Sequence, residues 1–503
     1  MCASLMMVSV TMGLIRRNML ANFAGQGWIA LMGFAFVPFY LKFIGAEGYG
    51  LIGFFVVLSS SLAILDAGLS ATAIREIAGF NDASAEERRG IVSLLTTIEV
   101  FFWGIAILVG VGLVCAAPLI AEYWLTVEPD KLQATVKGLR LMGGALAIQF
   151  PMVFYTGCLV GLQRQLIVNV VGALSATFRG LGAVAVLYWI APTVEMFFAW
   201  QCIVGGGTLL CLRLSLRREF SSGGGVKKFS VSSIVKVRKF AVGVGSVNVL
   251  AFLLTQIDKI VLSKILPIKE FGYYMLAWTL GTICLRLVGP VFNAYYPRVT
   301  QLVGLDDERE LKLTYLKASR IMGVLVAPLS MWLIFYSQPL LLLWTHDPVL
   351  ANSTAVALML IAAGTMLNAF MHMPYALQLA NGWTKLAFWQ NFLAVLFVLP
   401  STYFFAKRYG LMGAALPWVI LNFCYVAISA PIMYRRFIGS VQRAWYWHGI
   451  VFPVVFSLVV ICFFYYVFFD IKGLMFSIIS MISCLLASVF GCFYFFIWRA
   501  RFR

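Results

Sequence analysis

Three basic side chains lie inside long apolar stretches of the sequence: Arg179, Lys259 and Arg286. An ionisable side chain at the centre of a bilayer costs about 2.5–3.5 kcal/mol on insertion scales, so each should face a partner or a water-filled cavity. A guanidinium group stays charged at any relevant pH and binds phosphate through paired hydrogen bonds. We therefore predict a cavity with cationic walls and an anionic, phosphate-bearing cargo. Arg140, in an outer connecting segment, completes the predicted substrate-binding set.

Three acidic side chains also fall within apolar stretches: Asp66, Glu99 and Asp258. A carboxylate at this depth can exchange a proton or Na⁺, which predicts a role in ion coupling. The alternative is structural. Asp258 would then balance the adjacent Lys259, and Asp66, Glu99 or helix-end carbonyl groups would pair with the buried arginines.

Other kinds of catalytic or cofactor site are not indicated. The Gly-rich segment 223–228 lacks the GxxxxGK[ST] spacing of a nucleotide-binding loop. The three histidines, at positions 346, 372 and 448, are spread over different segments, so no metal-ligand cluster is predicted. The largest outer segment, about residues 118–140, carries no clustered acid and base pair. We expect no cofactor, no metal and no enzymatic activity.

The composition identifies the setting of these residues. Of 503 residues, 62% are hydrophobic and 12% are charged, whereas a soluble domain has about 45–50% apolar and about 25% charged residues. That difference excludes soluble enzymes, fibrous proteins and disordered chains. The ten cysteines form no CxxC motif, which argues against a disulfide or zinc framework. Unbroken apolar blocks, without the alternation of an outer-membrane barrel, predict an all-α polytopic membrane protein.

Blocks of about 20 mainly apolar residues each predict one membrane-spanning helix. The chain contains fourteen such blocks, at residues 19–41, 51–73, 92–117, 139–162, 167–190, 195–212, 240–263, 272–295, 321–343, 352–380, 386–406, 411–433, 449–469 and 473–498.

The basic residues between the blocks predict the orientation. With the N-terminus inside, 26 of the 38 lysines and arginines fall in inner segments, nine in outer segments and three within blocks. This asymmetry follows the positive-inside rule and predicts that both termini are cytoplasmic. It also accounts for the net charge of +18 without a nucleic-acid partner.

A weak internal repeat predicts two helical bundles. At an offset of 222 residues, Lys42 matches Lys264, and the pair at 49–50 matches the pair at 271–272. Arg16 and Arg17 match the basic pair at 238–239 in the same way. Transporters are commonly built from such repeats, with the substrate site between them.

The predicted domains follow from this repeat. Residues 1–220 form a six-helix bundle, 221–239 a cytoplasmic Gly/Ser-rich and basic linker, and 240–440 a second six-helix bundle. Residues 441–503 add two further helices and a basic cytoplasmic tail.

Two short segments near the start of the chain carry a family resemblance. The segment 43–51 reads FIGAEGYGL, and the segment 65–76 begins LDAGLS and ends in Arg75 and Glu76. Together they resemble the polysaccharide-biosynthesis export family, the Wzx-type flippases of O-antigen and capsule repeat units. That family belongs to the multidrug/oligosaccharidyl-lipid/polysaccharide exporter superfamily.

The resemblance implies a V-shaped, MATE-like pair of six-helix bundles that alternates between inward-open and outward-open states. The implied cargo is an undecaprenyl-diphosphate-linked oligosaccharide, moved from the cytoplasmic to the periplasmic leaflet of the bacterial inner membrane. A cation-lined cavity and coupling to protons or Na⁺ are also implied. Further expected partners are membrane lipids, a polysaccharide polymerase and glycosyltransferases.

Three alternative functions remain open from the sequence. A multidrug exporter of the same superfamily would need carboxylates to hold cationic drugs. A lipid II-type flippase of peptidoglycan synthesis is a near relative with a similar cargo. A polymerase or ligase would act on the same lipid-linked sugars, but the short outer segments argue against an enzyme.

Overall fold

The computed structural model describes residues 24–66, 68–80, 83–220, 249, 252–253, 255–468 and 474–501. Nearly all of these residues are helical, and the one β-type contact among them is an isolated bridge between Thr126 and Pro267. The predicted linker at 221–239 and the basic pair at 16–17 lie outside the described residues. The all-α expectation is confirmed.

The helices are numbered here in chain order. They are α1 (residues 24–35), α2 (Val37–Leu65), α3 (Leu69–Ala78), α4 (Ala85–Leu119), α5 (Leu132–Gly161), α6 (Gln165–Trp189), α7 (Val194–Phe220), α8 (255–265), α9 (Ile268–Gly281), α10 (Leu285–Gly304), α11 (Glu308–Phe335), α12 (Ser337–Thr345), α13 (Pro348–Phe370), α14 (His372–Ala380), α15 (Thr384–Cys424), α16 (Ala430–Phe437), α17 (Gln442–Trp445), α18 (Phe452–Phe468) and α19 (Leu474–Arg501).

Two glycines with positive φ divide long helices where the sequence predicts a turn between spans. Gly45 (φ 69°) kinks α2 between the first and second predicted blocks, and Gly410 (φ 57°) kinks α15 between the eleventh and twelfth. Within the described ranges, ten continuous helical stretches are long and apolar enough to cross a membrane. The count of fourteen spans therefore remains a prediction.

Local sequence explains where several helices begin. At the start of α4, Ser84 and Glu87 form a capping box: the Ser84 Oγ accepts from the Glu87 N–H, and the Glu87 carboxylate accepts from the Ser84 N–H. These bonds satisfy two backbone donors that a helix N-terminus leaves free. Between α2 and α3, Gly68 adopts the left-handed conformation (φ 77°), which a residue with a Cβ rarely adopts.

The chain divides into two compact units, Met1–Gly272 and Tyr273–Arg503. Each has its own apolar core. In the first unit, the ring of Phe102 lies 4.8 Å from that of Phe150 and 5.6 Å from that of Phe154. The predicted domain boundaries stay a prediction.

The second unit buries polar aromatic side chains together with apolar ones. The hydroxyl groups of Tyr315 and Tyr434 lie 2.5 Å apart, and the Trp445 ring lies 5.3 Å from that of Tyr434. The hydrogen bond matters because a buried hydroxyl without a partner is unfavourable.

Large apolar side chains also cover the outside of the helices. Leu108 on α4 is 72% exposed and Phe404 on α15 is 69% exposed. Such side chains are unfavourable in water over large areas but are suited to lipid, so they match a membrane-embedded bundle.

Candidate functional site

Arg179 lies near the middle of α6. It is 14 residues from Gln165 and 10 from Trp189, which places it about 21 Å and about 15 Å from the two helix ends. Its side chain is partly exposed and interacts electrostatically with Tyr40 and Cys202. Among the described residues, Arg179 forms no ion pair with a carboxylate.

A glycine on the neighbouring helix gives the Arg179 guanidinium its space. A Cβ added at Gly205 of α7 would lie 3.6 Å from the Arg179 Nη2 and 3.2 Å from Ile148. The guanidinium therefore passes close to the backbone of α7. Its surroundings are a phenol, a thiol and apolar groups, none of which neutralises a positive charge at ordinary pH.

Arg286 lies at an interruption of the eighth predicted span. Helix α9 ends at Gly281 and α10 begins at Leu285. Around this turn, the backbone N–H groups of Ile283, Leu285, Arg286 and Leu287 each donate to the carbonyl three residues earlier. A 3₁₀ segment inside a helix often marks a hinge. The Arg286 side chain is exposed, and no ion pair to it occurs within the described ranges.

Lys259 and Asp258 form a buried pair on α8. The Lys259 Nζ donates to both carboxylate oxygens of Asp258, at 3.1 and 3.2 Å, and to the Thr255 carbonyl at 2.6 Å. Lys259 is only 2% exposed. The arrangement matches the expected local charge balance, and a cargo could reach Lys259 only after this pair had opened.

Glu99 is the centre of a side-chain network in the first unit. Its Oε1 accepts from the Tyr155 hydroxyl at 2.5 Å and lies 3.3 Å from Arg213 Nη2. The Tyr155 hydroxyl in turn accepts from the Trp103 indole N–H at 3.1 Å, and the Arg213 guanidinium lies 5.8 Å from the centre of that indole. Glu99 therefore pairs with an arginine, but not with Arg179 or Arg286.

Arg213 is a candidate residue that the sequence reasoning missed. The sixth predicted block ends at residue 212, which predicts that Arg213 lies in the cytoplasmic connection. Helix α7 instead continues to Phe220, which keeps Arg213 on the helix and within reach of α4. A basic residue directly after an apolar block is the signal that could have indicated this, because long side chains reach back along a helix.

Asp66 closes the break between α2 and α3. Its Oδ1 accepts from the Ser70 N–H at 2.9 Å and its Oδ2 accepts from the Ser70 hydroxyl at 2.6 Å. The residue is 6% exposed. Both carboxylate oxygens therefore bind the first turn of α3, which is a helix-capping role. Ion exchange at Asp66 would require this cap to open.

Arg140 lies two turns into α5, and its side chain is exposed. A cavity of about 500 Å³ lies in the same unit, at the predicted outer end. Its charged lining residues are Glu47, Lys131, Glu195 and Lys269.

The outer-end cavity is balanced in charge. The Lys131 Nζ lies 2.9 Å from the Glu47 carboxylate and 2.7 Å from that of Glu128. The hydrogen bond from Lys131 lowers the pKa of the Glu128 carboxyl below its ordinary value. With two lysines and two glutamates in its lining, this cavity offers no excess positive charge to a phosphate.

The predicted site residues therefore fall into separate groups. Asp258 and Lys259 bind each other, and Asp66 and Glu99 each bind other side chains. Three of the predicted arginines form no ion pair with a carboxylate in the described part of the chain: Arg140, Arg179 and Arg286. The same part of the chain holds no group of three or more His, Cys, Asp and Glu side chains that could bind a metal ion.

Comparison with known families gives two matches along the chain. Residues 15–303 match the family described as polysaccharide biosynthesis protein. Residues 244–404 match the MatE family. The first match covers more than half of the sequence.

Two relatives are similar in sequence. A protein of Shigella flexneri described as an O-antigen transporter is 23% identical over 417 residues, which cover 81% of this chain and 94% of the relative. The lipopolysaccharide biosynthesis protein WzxC of Escherichia coli K12 is 20% identical over 216 residues, 43% of each chain.

Solved structures share the fold. The lipid II flippase MurJ in an inward closed conformation superposes with a TM-score of 0.72 at 15% identity, over 97% of this chain and 99% of that one. An inward-facing multidrug resistance MATE family transporter has a TM-score of 0.65 at 14% identity, over 85% and 96% of the two chains. The expected MATE-like helical fold is thereby confirmed.

These findings also bear on the choice between transporter and enzyme. The Shigella flexneri relative is a transporter by description, and the family match covers the α2–α3 segment that carries the family resemblance. The chain belongs to the polysaccharide biosynthesis protein family and is a membrane flippase of the multidrug/oligosaccharidyl-lipid/polysaccharide exporter superfamily.

Proposed function

We propose that this flippase moves undecaprenyl-diphosphate-linked oligosaccharide repeat units from the cytoplasmic to the periplasmic leaflet of the bacterial inner membrane by alternating access. The observation that carries the proposal is the guanidinium of Arg179, which lies near mid-helix without a carboxylate partner in the described residues. An unneutralised cation at this depth is costly unless an anion occupies the site for part of the cycle.

A diphosphate suits this guanidinium chemically. Arginine presents parallel N–H donors that match two phosphate oxygens, and it keeps its charge when water is excluded. Tyr40 and Cys202, its electrostatic neighbours, carry no competing negative charge at ordinary pH.

Arg286 supports the same assignment in the second unit. It lies directly after the 3₁₀ turn between α9 and α10, and discontinuous helices recur at transporter substrate sites. An exposed arginine beside a hinge can release or bind a phosphate as the helix bends.

The carboxylates argue against cationic drugs as the cargo. Each of the three carboxylates binds a group within its own unit. Glu99 binds Arg213 and Tyr155. Asp66 binds Ser70, and Asp258 binds Lys259. A drug exporter would need one of these acidic side chains to be available to a cationic ligand.

Electrostatics favours the proposed direction of transport. An inside-negative potential drives a polyanionic head-group outward by about 2.3 kcal/mol per net charge per 100 mV. Neutralisation of the cargo by fixed arginines removes this gain from the loaded crossing. The gain then belongs to the return step, in which the positively charged empty carrier moves toward the negative side. Entry of protons or Na⁺ on acidic side chains is the proposed means of resetting the carrier.

The test measures flipping of a fluorescent diphosphate-linked oligosaccharide in proteoliposomes with imposed potential and pH gradients. We expect Arg179→Ala and Arg286→Ala to lose flipping while inserting normally. Lys substitution should restore part of the activity if charge suffices, and little if paired hydrogen bonds are required.

Matched controls are available on the same two helices. Arg164 at the start of α6 is exposed and pairs with Glu219, and Arg298 on α10 is exposed and bonds to Gln301. Their Ala variants should flip the lipid at the wild-type rate. Normal flipping by both Arg179→Ala and Arg286→Ala would contradict the proposal, and preference for a lipid II head-group over other glycans would reassign the cargo.

A further inference from the structure

A second cavity lies within the second unit and contains no formally charged lining residue. It has a volume of about 220 Å³, less than the 300–1,000 Å³ typical of sites for drug-sized ligands. Its polar lining comes from α13, α14 and α15: Asn368, His372, Gln378, Gln390 and Asn391. The remaining lining residues are Met371, Tyr375, Ala387 and Tyr425.

One side chain of this lining is incompletely satisfied. Gln378 is only 2% exposed, and its Oε1 has no hydrogen-bond partner within the described residues. A buried amide oxygen without a donor is unfavourable, so a ligand hydroxyl that donated to it would remove a penalty. The Gln378 Oε1 is therefore an acceptor that still lacks a donor.

The hydrogen bonds of Asn368 and His372 determine which of their atoms can donate to a ligand and which can accept. The Asn368 amide donates to the Asn422 Oδ1 at 2.8 Å, which fixes the orientation of its amide. The His372 Nδ1 lies 3.1 Å from the backbone carbonyl oxygen of Asn368. Because a carbonyl oxygen only accepts, this ring nitrogen carries the proton. In the neutral ring the Nε2 is then an acceptor.

The chemistry of the lining selects a neutral ligand. No lysine or arginine is present to hold a phosphate, and no carboxylate is present to offset a metal cation. Amide groups and an imidazole bind hydroxyl groups, and Tyr375 and Tyr425 offer apolar faces to C–H groups. A sugar ring has both kinds of surface.

The position of the cavity fits entry from the cytoplasmic side. Gln390 and Asn391 follow Lys385, which the sequence places in an inner segment, by five and six residues. They therefore lie about 8–9 Å along α15 from the predicted cytoplasmic end.

We infer that this cavity is a subsite for one uncharged sugar ring of the glycan, separate from the arginines that bind the diphosphate. The inference rests on the proposed function for the identity of the cargo. It adds a binding site in the second unit and names its ligand as a neutral, hydroxyl-bearing monosaccharide.

The test uses the full-length protein in nanodiscs and three probes: methyl glycosides of glucose, galactose and N-acetylglucosamine. Saturation-transfer NMR would measure their binding. In Gln378→Met we expect binding to weaken by about fivefold or more, the effect of one lost net hydrogen bond. The thermal midpoint of the variant without sugar should equal or exceed that of the wild type, because an unsatisfied polar atom has been removed.

The matched control is Gln201→Met. Gln201 is also buried, at 7% exposure, but lies on α7 of the first unit and lines none of the described cavities. Its variant should bind the glycosides like the wild type. A second variant, Gln390→Leu with Asn391→Leu, removes two amides at less buried positions and should also weaken binding.

Several results would overturn the inference. They are absence of glycoside binding by the wild type, wild-type binding by Gln378→Met, and competition for the cavity by NaCl or inorganic pyrophosphate in place of sugar. Flipping assays separate this failure from that of the proposed function. If Gln378→Met flips the lipid at the wild-type rate with unchanged glycan preference, only the sugar subsite is contradicted. If the wild type binds glycosides but flips no diphosphate-linked oligosaccharide, only the proposed cargo is contradicted.

Discussion

Arg179 and Glu99 occupy opposite electrostatic situations within the first unit. The arginine lacks a carboxylate among the described residues, whereas Glu99 accepts a hydrogen bond from Tyr155 and pairs with Arg213 at 3.3 Å. Arg179 therefore suits an external anion. The attraction of Glu99 to Arg213 depends on the negative charge of the carboxylate, which makes Glu99 a candidate for ion coupling.

The first prediction concerns Glu99 as the coupling carboxylate. A gradient of one pH unit supplies about 1.4 kcal/mol per proton, or about a tenfold accumulation. In proteoliposomes, Glu99→Gln should abolish the acceleration of flipping by an imposed pH gradient, while the acceleration of flipping by membrane potential persists. Glu76→Gln provides the control, because Glu76 pairs only with the adjacent, exposed Arg75 in the described structure. An unchanged pH response in Glu99→Gln would remove Glu99 from the coupling mechanism.

At the scale of elements, glycines allow one unusually close approach in the first unit. A Cβ at Gly50 on α2 would overlap the carbonyl oxygen of Ile268, and one at Gly272 on α9 would overlap that of Ala46. These two glycines are the pair that the 222-residue repeat aligns. The repeat thus brings equivalent positions of α2 and α9 into contact.

The second prediction is that Gly50→Ala destabilises this packing. The neighbouring group is backbone and cannot rotate away, so an overpacking cost of about 1–3 kcal/mol is expected. Thermal unfolding in detergent would measure it. Gly27→Ala on α1 is the matched control, because nothing in the described structure lies within 4 Å of a Cβ there. That variant should be neutral or slightly stabilised, since alanine is the better helix former. Equal midpoints for the two variants would contradict the close approach.

At the scale of the whole molecule, the distribution of basic residues predicts how the chain crosses the membrane. Arg309 belongs to an inner segment and Asp347 to an outer one. Because positively charged loops are retained in the cytoplasm, the two positions should lie on opposite sides.

Reporter fusions test this third prediction. Alkaline phosphatase fused after Asp347 should be active, and the same reporter fused after Arg309 should be inactive. Green fluorescent protein at the two positions should give the opposite pattern, which controls for expression. The reverse result would invert the orientation, and with it the direction of flipping.

The sequence predicted the class of fold. Long apolar blocks report directly on helices in lipid, because each residue contributes to insertion independently of distant contacts. Gly45 and Gly410 confirm two predicted turns, at the places where a block ends. The family resemblance at residues 43–76 is confirmed by the family match.

The partners of those charges were decided only by the tertiary structure. The apolar blocks identified three acidic side chains: Glu99, Asp66 and Asp258. Their partners are Arg213, Ser70 and Lys259, and these pairings depend on where the helices end and on which helix faces pack together. The partners Glu99 and Arg213 are 114 residues apart, a separation that hydropathy does not constrain. The neutral cavity around Gln378 could not be predicted from the sequence either, because its amide side chains come from separate helices and line one cavity only after those helices pack.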